Sequence, residues 1–162
     1  MNTVSFLSIP AGIVPDQEAL VFEGARFTYA ETHARVRRIA GGLAALGVGR
    51  GTRVAALDVN SHRYVEAYYA SAMLGAVFIP LNYRAKPPEL EHMLATGRAR
   101  VLLVGGRYVE TVESLRAKLP DLEVLVGFDG AIRGRMGPER SRTCPSWSYS
   151  VTSDSIMLST DS

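Results

Sequence analysis

The chain has 162 residues, 47% hydrophobic and 21% charged, which is enough for one domain with a buried core and too little for two of ordinary size. Its formal net charge of +2 balances 18 basic against 16 acidic residues spread along the chain, so there is no electrostatic footprint for nucleic acid. A single cysteine, Cys144, excludes an internal disulfide and a multi-cysteine metal site; with no signal-like run before Arg26 and no membrane-span candidate, the expected location is cytoplasmic.

In chain order, Leu20-Val21-Phe22 and Arg26-Phe27-Thr28 flank a turn at Glu23-Gly24 and predict a short hairpin within 19–29. Thr28 and Glu31 have capping-box spacing, so a helix is expected to begin there. Val36, Ile39, Ala40, Leu43 and Leu46 share one face of it, Glu31, Arg35 and Arg38 lie largely on the other, and Gly47 is the expected stop. Val54 to Leu57 suits a strand buried on both sides, and Asn60 or Ser61 suits the cap of a second helix whose apolar stripe is Val65, Tyr68, Tyr69, Ala72 and Met73.

Gly75 ends that helix, and Val77 to Ile79 follows as a strand. Pro87-Pro88 opens a third helix carrying Leu90, Met93 and Leu94 up to Gly97. Val101 to Val104 is the next strand, Val109, Val112, Leu115 and Leu119 line a fourth helix closed by Pro120, and Val124 to Val126 is the last strand. Strands separated by helices of this length imply right-handed crossovers. The class is α/β, a mostly parallel sheet flanked by helices.

Residues 131–162 break this pattern and divide the chain into a folded portion, 1–130, and a low-complexity tail. Eight serines fall in these 32 residues against five in the preceding 130, and Arg133, Arg135, Arg140 and Arg142 crowd one short span. Two readings stand side by side: a disordered tail, and a segment foreign to the fold, as a shifted reading frame would produce. Neither Cys144 nor Trp147 is taken as functional.

Chemical motifs are few. Gly47, Gly49 and Gly51 join a helix to a strand, the wrong order for a phosphate loop. Gly105-Gly106 has the right order, strand then helix, but lacks a following Lys-Ser/Thr or a third spaced glycine, and is read first as a structural turn. His33, His62 and His92 share no metal-ligand spacing. Ser61 is more simply a cap than a nucleophile, and Arg35, Arg37 and Arg38 are read as a solvated face.

Several ordered motifs carry a family likeness. Pro15-Asp16 and Ala19-Leu20-Val21-Phe22 precede Phe27-Thr28-Tyr29-Ala30-Glu31; Leu46-Gly47-Val48 leads to Gly51-Thr52-Arg53-Val54-Ala55; and Leu74-Gly75-Ala76-Val77 leads to Pro80-Leu81-Asn82. In this order they resemble the N-terminal part of the AMP-forming acyl-CoA synthetases, adenylate-forming enzymes, over residues 15–130. Thr52 stands where an Asp is common. Asn82-x-Arg84 and Pro88-Glu89-Leu90 resemble the fatty-acyl branch.

The resemblance implies ATP, Mg2+ and CoA as the family's cofactors, with a carboxylic acid activated to an acyl-adenylate and then passed to the CoA thiol. It implies one site residue in this chain, Arg84, as a contact to a CoA phosphate; a surface arginine at a strand exit is the competing reading. The family's Ser/Thr/Gly-rich phosphate loop with its lysine is not found, and Val151-Thr152-Ser153 and Ser159-Thr160 lack its glycines and lysine. The ATP and Mg2+ sites are therefore expected to be missing from a truncated chain with no catalysis of its own. Alternatives are a non-catalytic module docking on a full-length synthetase or its missing half, and an unrelated doubly wound binding domain. Peripheral membrane contact stays open.

Overall fold

The computed structural model describes residues 3–128 and the backbone of 133–135. A first helix, α1 (Ser5–Ile13), has no counterpart among the elements expected from the sequence. Pro10 lies inside it, where a proline removes a backbone donor, and the segment therefore does not read as helical; Leu7 anchors it in the core. Strands β1 (Glu18–Phe22) and β2 (Ala25–Thr28) pair antiparallel around Glu23 and Gly24. Both turn residues have positive φ, 48° and 84°, which matches the right-handed twist of a two-residue hairpin.

Helix α2 (Tyr29–Ala45) starts on the expected capping box, with the Glu31 amide donating to Thr28 Oγ1 at 3.2 Å and the Thr28 amide donating to Glu31 Oε2 at 2.8 Å. Gly47 and Gly75, at φ of 80° and 65°, end α2 and α3 (His62–Met73) as expected. The rest comprises β3 (Arg53–Leu57), β4 (Val77–Pro80), α4 (Pro87–Gly97), β5 (Val101–Val104), α5 (Val109–Leu115), β6 (Val124–Gly127) and β7 (Arg133–Arg135).

The main sheet has the order β4-β3-β5-β6-β7, with its first four strands parallel. Alternation along each strand divides the core. Ala55, Leu57, Leu102, Val104 and Leu125 face Leu90 and Leu94 of α4 and Val112 and Leu115 of α5. Val54, Ala56, Val101, Leu103 and Val124 face Leu7, Val36, Ala40, Leu43, Ala67 and Ala70 from α1, α2 and α3. Burial from both sides explains the unbroken apolar runs of β3 and β5.

Three expectations need correction. The buried face of α3 is Glu66, Ala67, Ala70 and Ser71, while Tyr68 is 40% exposed. Small side chains let α3 approach α2 closely, and Glu66 is tolerated inside because Arg35 reaches it with Nε–Oε1 at 2.5 Å and Nη2–Oε2 at 3.3 Å. Arg35 is therefore no solvated arginine. Helix α4 ends at Gly97 as expected, with Arg98 just beyond it in the left-handed region; a Cβ at Gly97 would stand 3.0 Å from Ile79 Cδ1, so the glycine admits the neighbouring strand. The fourth helix is shorter than its apolar stripe, passing into a 3-10 turn at Arg116–Lys118.

The backbone of Arg133–Arg135 adds an antiparallel strand, pairing Val124 with Arg135 and Val126 with Arg133. Arg-Gly-Arg has no alternation to announce it; the open edge of β6 supplies the ladder. Cys144, Trp147, Val151-Thr152-Ser153 and Ser159-Thr160 lie outside the described residues.

Candidate functional site

The chain runs from β3 to β4 on one side and returns to β5 on the other, so the connections leave β3 and β5 toward opposite faces, α3 to one and α5 to the other. In an open parallel sheet, ligands bind outside the carboxyl ends of the strands where the order reverses in this way. A cleft of about 320 Å³ opens at that place, lined by Asp58, Arg63, Gly105, Gly106, Arg107 and Phe128. Asp58 follows β3, Arg63 lies in the first turn of α3, Gly105 to Arg107 follow β5 and Phe128 follows β6.

The cleft floor is held by backbone bonds: the Gly105 amide donates to Leu57 O at 3.0 Å, and the Phe128 amide to Val104 O at 2.9 Å. Asp58 is oriented by the Val59 amide, which donates to its Oδ1 at 2.8 Å. Gly105 has φ −71° and ψ 144°, ordinary extended backbone open to any residue. A Cβ there would meet the Asp58 carboxylate at 2.5 Å from Cγ and 2.8 Å from Oδ2. Gly105 is thus required for a close approach between the ends of β3 and β5, not for a strained turn.

Arg63 and Arg107 are exposed, and among the described residues neither enters an ion pair. Two guanidinium groups beside a cleft with oriented backbone are suited to an anion such as phosphate. Sequence reasoning passed over Asp58, Arg63 and Arg107. The one signal was position: each stands just beyond an apolar strand, on the edge where a parallel sheet exposes its loops.

Arg84 stands on the same edge, in the loop after β4. Its backbone amide donates to Asn82 Oδ1 at 3.0 Å, an Asx turn that fixes the exit from the strand, while the buried Leu81 anchors the turn through a bond to Ala56 O at 2.9 Å. The Arg84 guanidinium lies 5.2 Å from the Tyr83 ring centroid and is exposed, unpaired among the described residues. It shares the edge with the cleft but is not one of its lining residues.

Gly47, Gly49 and Gly51 occupy the opposite, amino edge. Arg100 closes that corner by donating to Gly47 O and to Glu123 Oε2, each at 2.8 Å. Ser61 is a cap, its Oγ accepting from the Tyr64 amide at 3.3 Å. Among the described residues no three His, Cys, Asp or Glu side chains gather into a cation site, and no helix is long and apolar enough to cross a membrane.

Comparison with known proteins agrees with this architecture. The family model for the AMP-binding enzymes matches residues 11–153. A feruloyl-CoA synthase from Amycolatopsis is 45% identical over 107 residues, 66% of this chain and 22% of that protein. A long-chain-fatty-acid–CoA ligase from Thermus thermophilus is 42% identical over 104 residues, 64% of this chain and 19% of that one. Among solved structures, the anthranilate CoA ligase AuaEII in complex with anthranoyl-AMP superposes with a TM-score of 0.75 at 31% identity, covering 78% of this chain and 25% of that one. A Mycobacterium tuberculosis fatty acyl CoA synthetase does so with 0.73 at 31%, covering 78% and 26%. The chain thus spans about a fifth of the length of these curated relatives. With a doubly wound sheet, a cleft at its switch point and a family match across most of its length, the chain belongs to the AMP-binding enzymes, among which its relatives are acyl-CoA ligases and synthetases.

Proposed function

We propose that residues 1–130 act as the N-terminal lobe of a carboxylate–CoA ligase of the fatty-acyl branch, and that these 162 residues alone do not form an acyl-adenylate. The lobe's part in the reaction is to meet the phosphates of CoA along the carboxyl edge of the sheet, with Arg84 as the first contact. The observation that carries this reading is the alignment of three arginines without an ion pair among the described residues, Arg84 after β4, Arg63 at the start of α3 and Arg107 after β5, on one edge. Guanidinium groups that already hold carboxylates would have to break those bonds to take a phosphate; among the described residues these three hold none.

Adenylation is assigned to parts of the fold outside this segment. No Ser/Thr/Gly loop with a lysine stands in the sequence to hold a triphosphate, so the lobe is given no step with ATP. The test is a calorimetric titration with CoA and, separately, with pantetheine, which lacks the phosphates. Heat from CoA with none from pantetheine is expected. Equal binding of both, or binding of neither, would overturn the assignment.

A second reading, a non-catalytic module seated on a full-length synthetase or its missing half, is favoured by the opposite side of the sheet. Strand β4 has no strand on its outer edge among the described residues, and a groove of about 460 Å³ beside it is lined by Tyr64, Val65, Tyr68, Phe78 and Pro80. An open edge with an apolar floor is suited to another chain. Co-purification with a synthetase from cells, abolished by Tyr68→Glu, would support it; recovery of the chain alone would count against it.

A further inference from the structure

One histidine joins the β1–β2 hairpin to α3. His62, the first residue of α3, lies against Phe27 with ring centroids 4.9 Å apart at an interplanar angle of 29°, and against Phe22 at 5.5 Å and 51°. The Arg35 guanidinium stands 5.1 Å from the Phe27 centroid and bonds the buried Glu66, so hairpin, α2 and α3 meet at one cluster. His62 Nδ1 is buried and, among the described residues, has no hydrogen-bond partner.

We propose that His62 is a pH-sensitive latch, holding the hairpin Glu18–Thr28 on α2 and α3 while its imidazole is neutral and releasing it when the ring takes up a proton. A neutral ring can leave Nδ1 as a bare acceptor. A protonated ring carries a donor on both nitrogens, and the Nδ1 donor would then be charged and buried with no acceptor to meet it. Opening the hairpin gives that group to water.

The charged groups facing the ring pull both ways. Burial is the largest influence and lowers the His62 pKa below its ordinary 6.5; Glu66 on its own helix raises it, Arg35 on α2 and Arg63 on α3 lower it, and Glu23 at the hairpin turn raises it. Glu18 and Arg26, also on the hairpin, are occupied with each other at 2.6 Å. The two aromatic faces favour the cation and burial opposes it. The latch contribution is therefore complete above pH 6.5 and is lost as the pH falls from there through the lowered folded value. This inference is independent of the ligase reading.

The test is hydrogen exchange of the amides in residues 18–28, corrected for intrinsic exchange, between about pH 7.5 and about pH 5, a span that brackets histidine titration. In the wild-type chain the hairpin's opening constant should rise by up to about tenfold per pH unit below 6.5 until the lowered value is passed, with the amides of α4 and α5 unchanged. His62→Phe keeps the ring packing and cannot titrate, so its hairpin protection should be flat with pH. A flat wild-type profile, or the same slope in His62→Phe, would overturn the latch. Should His62→Phe not fold, NMR titration of the wild-type imidazole decides: a midpoint below 6.5 shared with the hairpin amides supports the latch, and a midpoint at or above 6.5, or one the amides do not share, overturns it.

Discussion

Replacing Gly105 by Ala isolates a single steric contact at the candidate site. Its backbone, at φ −71° and ψ 144°, accepts any residue, so the substitution creates no backbone strain. It would even gain about 0.4–1 kcal/mol by restricting the unfolded chain. Against that, the new methyl would lie 2.5 Å from Asp58 Cγ, and the carboxylate is held on its far side by the Val59 amide. Forcing such a contact costs about 1–3 kcal/mol, leaving a net loss of up to about 2.5 kcal/mol once the entropic gain is subtracted. With a urea m-value of about 2 kcal/mol per molar, the unfolding midpoint should fall by up to about 1.2 M.

Asp58→Ala removes the obstacle. In that background Gly105→Ala should change sign and stabilise by about 0.4–1 kcal/mol, because only the unfolded-state term is left. Loss of the Asp58–Val59 bond is common to both arms of the cycle and cancels. An equal cost for Gly105→Ala in both backgrounds, or no cost in the wild type, would refute the close approach of β3 and β5.

Arg35→Ala strips the partner from a Glu66 that is 1% exposed and should destabilise the chain by about 3–5 kcal/mol in urea unfolding, whereas Arg35→Met with Glu66→Leu should come close to wild type. A small effect of the single change would show that the carboxylate finds water. Arg84→Ala should weaken CoA binding about fivefold or more in calorimetry, as loss of one charge-assisted contact implies, and leave the unfolding midpoint unmoved; unchanged CoA affinity would remove Arg84 from the site. Tyr68→Glu should weaken only partner capture, since Tyr68 is 40% exposed and its loss leaves no cavity in the core; a loss of stability above about 1 kcal/mol would contradict that placement.

The sheet was legible in the sequence because parallel strands buried on both faces leave continuous apolar runs, and Val54 to Leu57 and Val101 to Val104 are such runs. Helix starts were legible where a side chain caps the backbone, at Thr28 and Ser61, or where Pro87-Pro88 forbids any other role. The buried face of α3 was not. It is made of alanine, serine and a glutamate, and Glu66 reads as solvated until Arg35, 31 positions earlier, is known to reach it. Gly105 looked like a conformational glycine, yet it admits a neighbour, Asp58. The cleft itself depends on strand order, which local spacing does not encode, so Asp58, Arg63 and Arg107 became a group only when β5 was seen beside β3. Arg84 was reached through the family resemblance and stands on the edge that this order exposes.

The most direct measurement of the central claim is ATP–pyrophosphate exchange by the purified 162-residue chain with Mg2+ and a fatty acid, alongside a full-length acyl-CoA ligase as reference. A lobe that lends CoA contacts but holds no triphosphate should give no exchange above the level without protein. Exchange that depends on the fatty acid and rises in proportion to the chain would contradict the account.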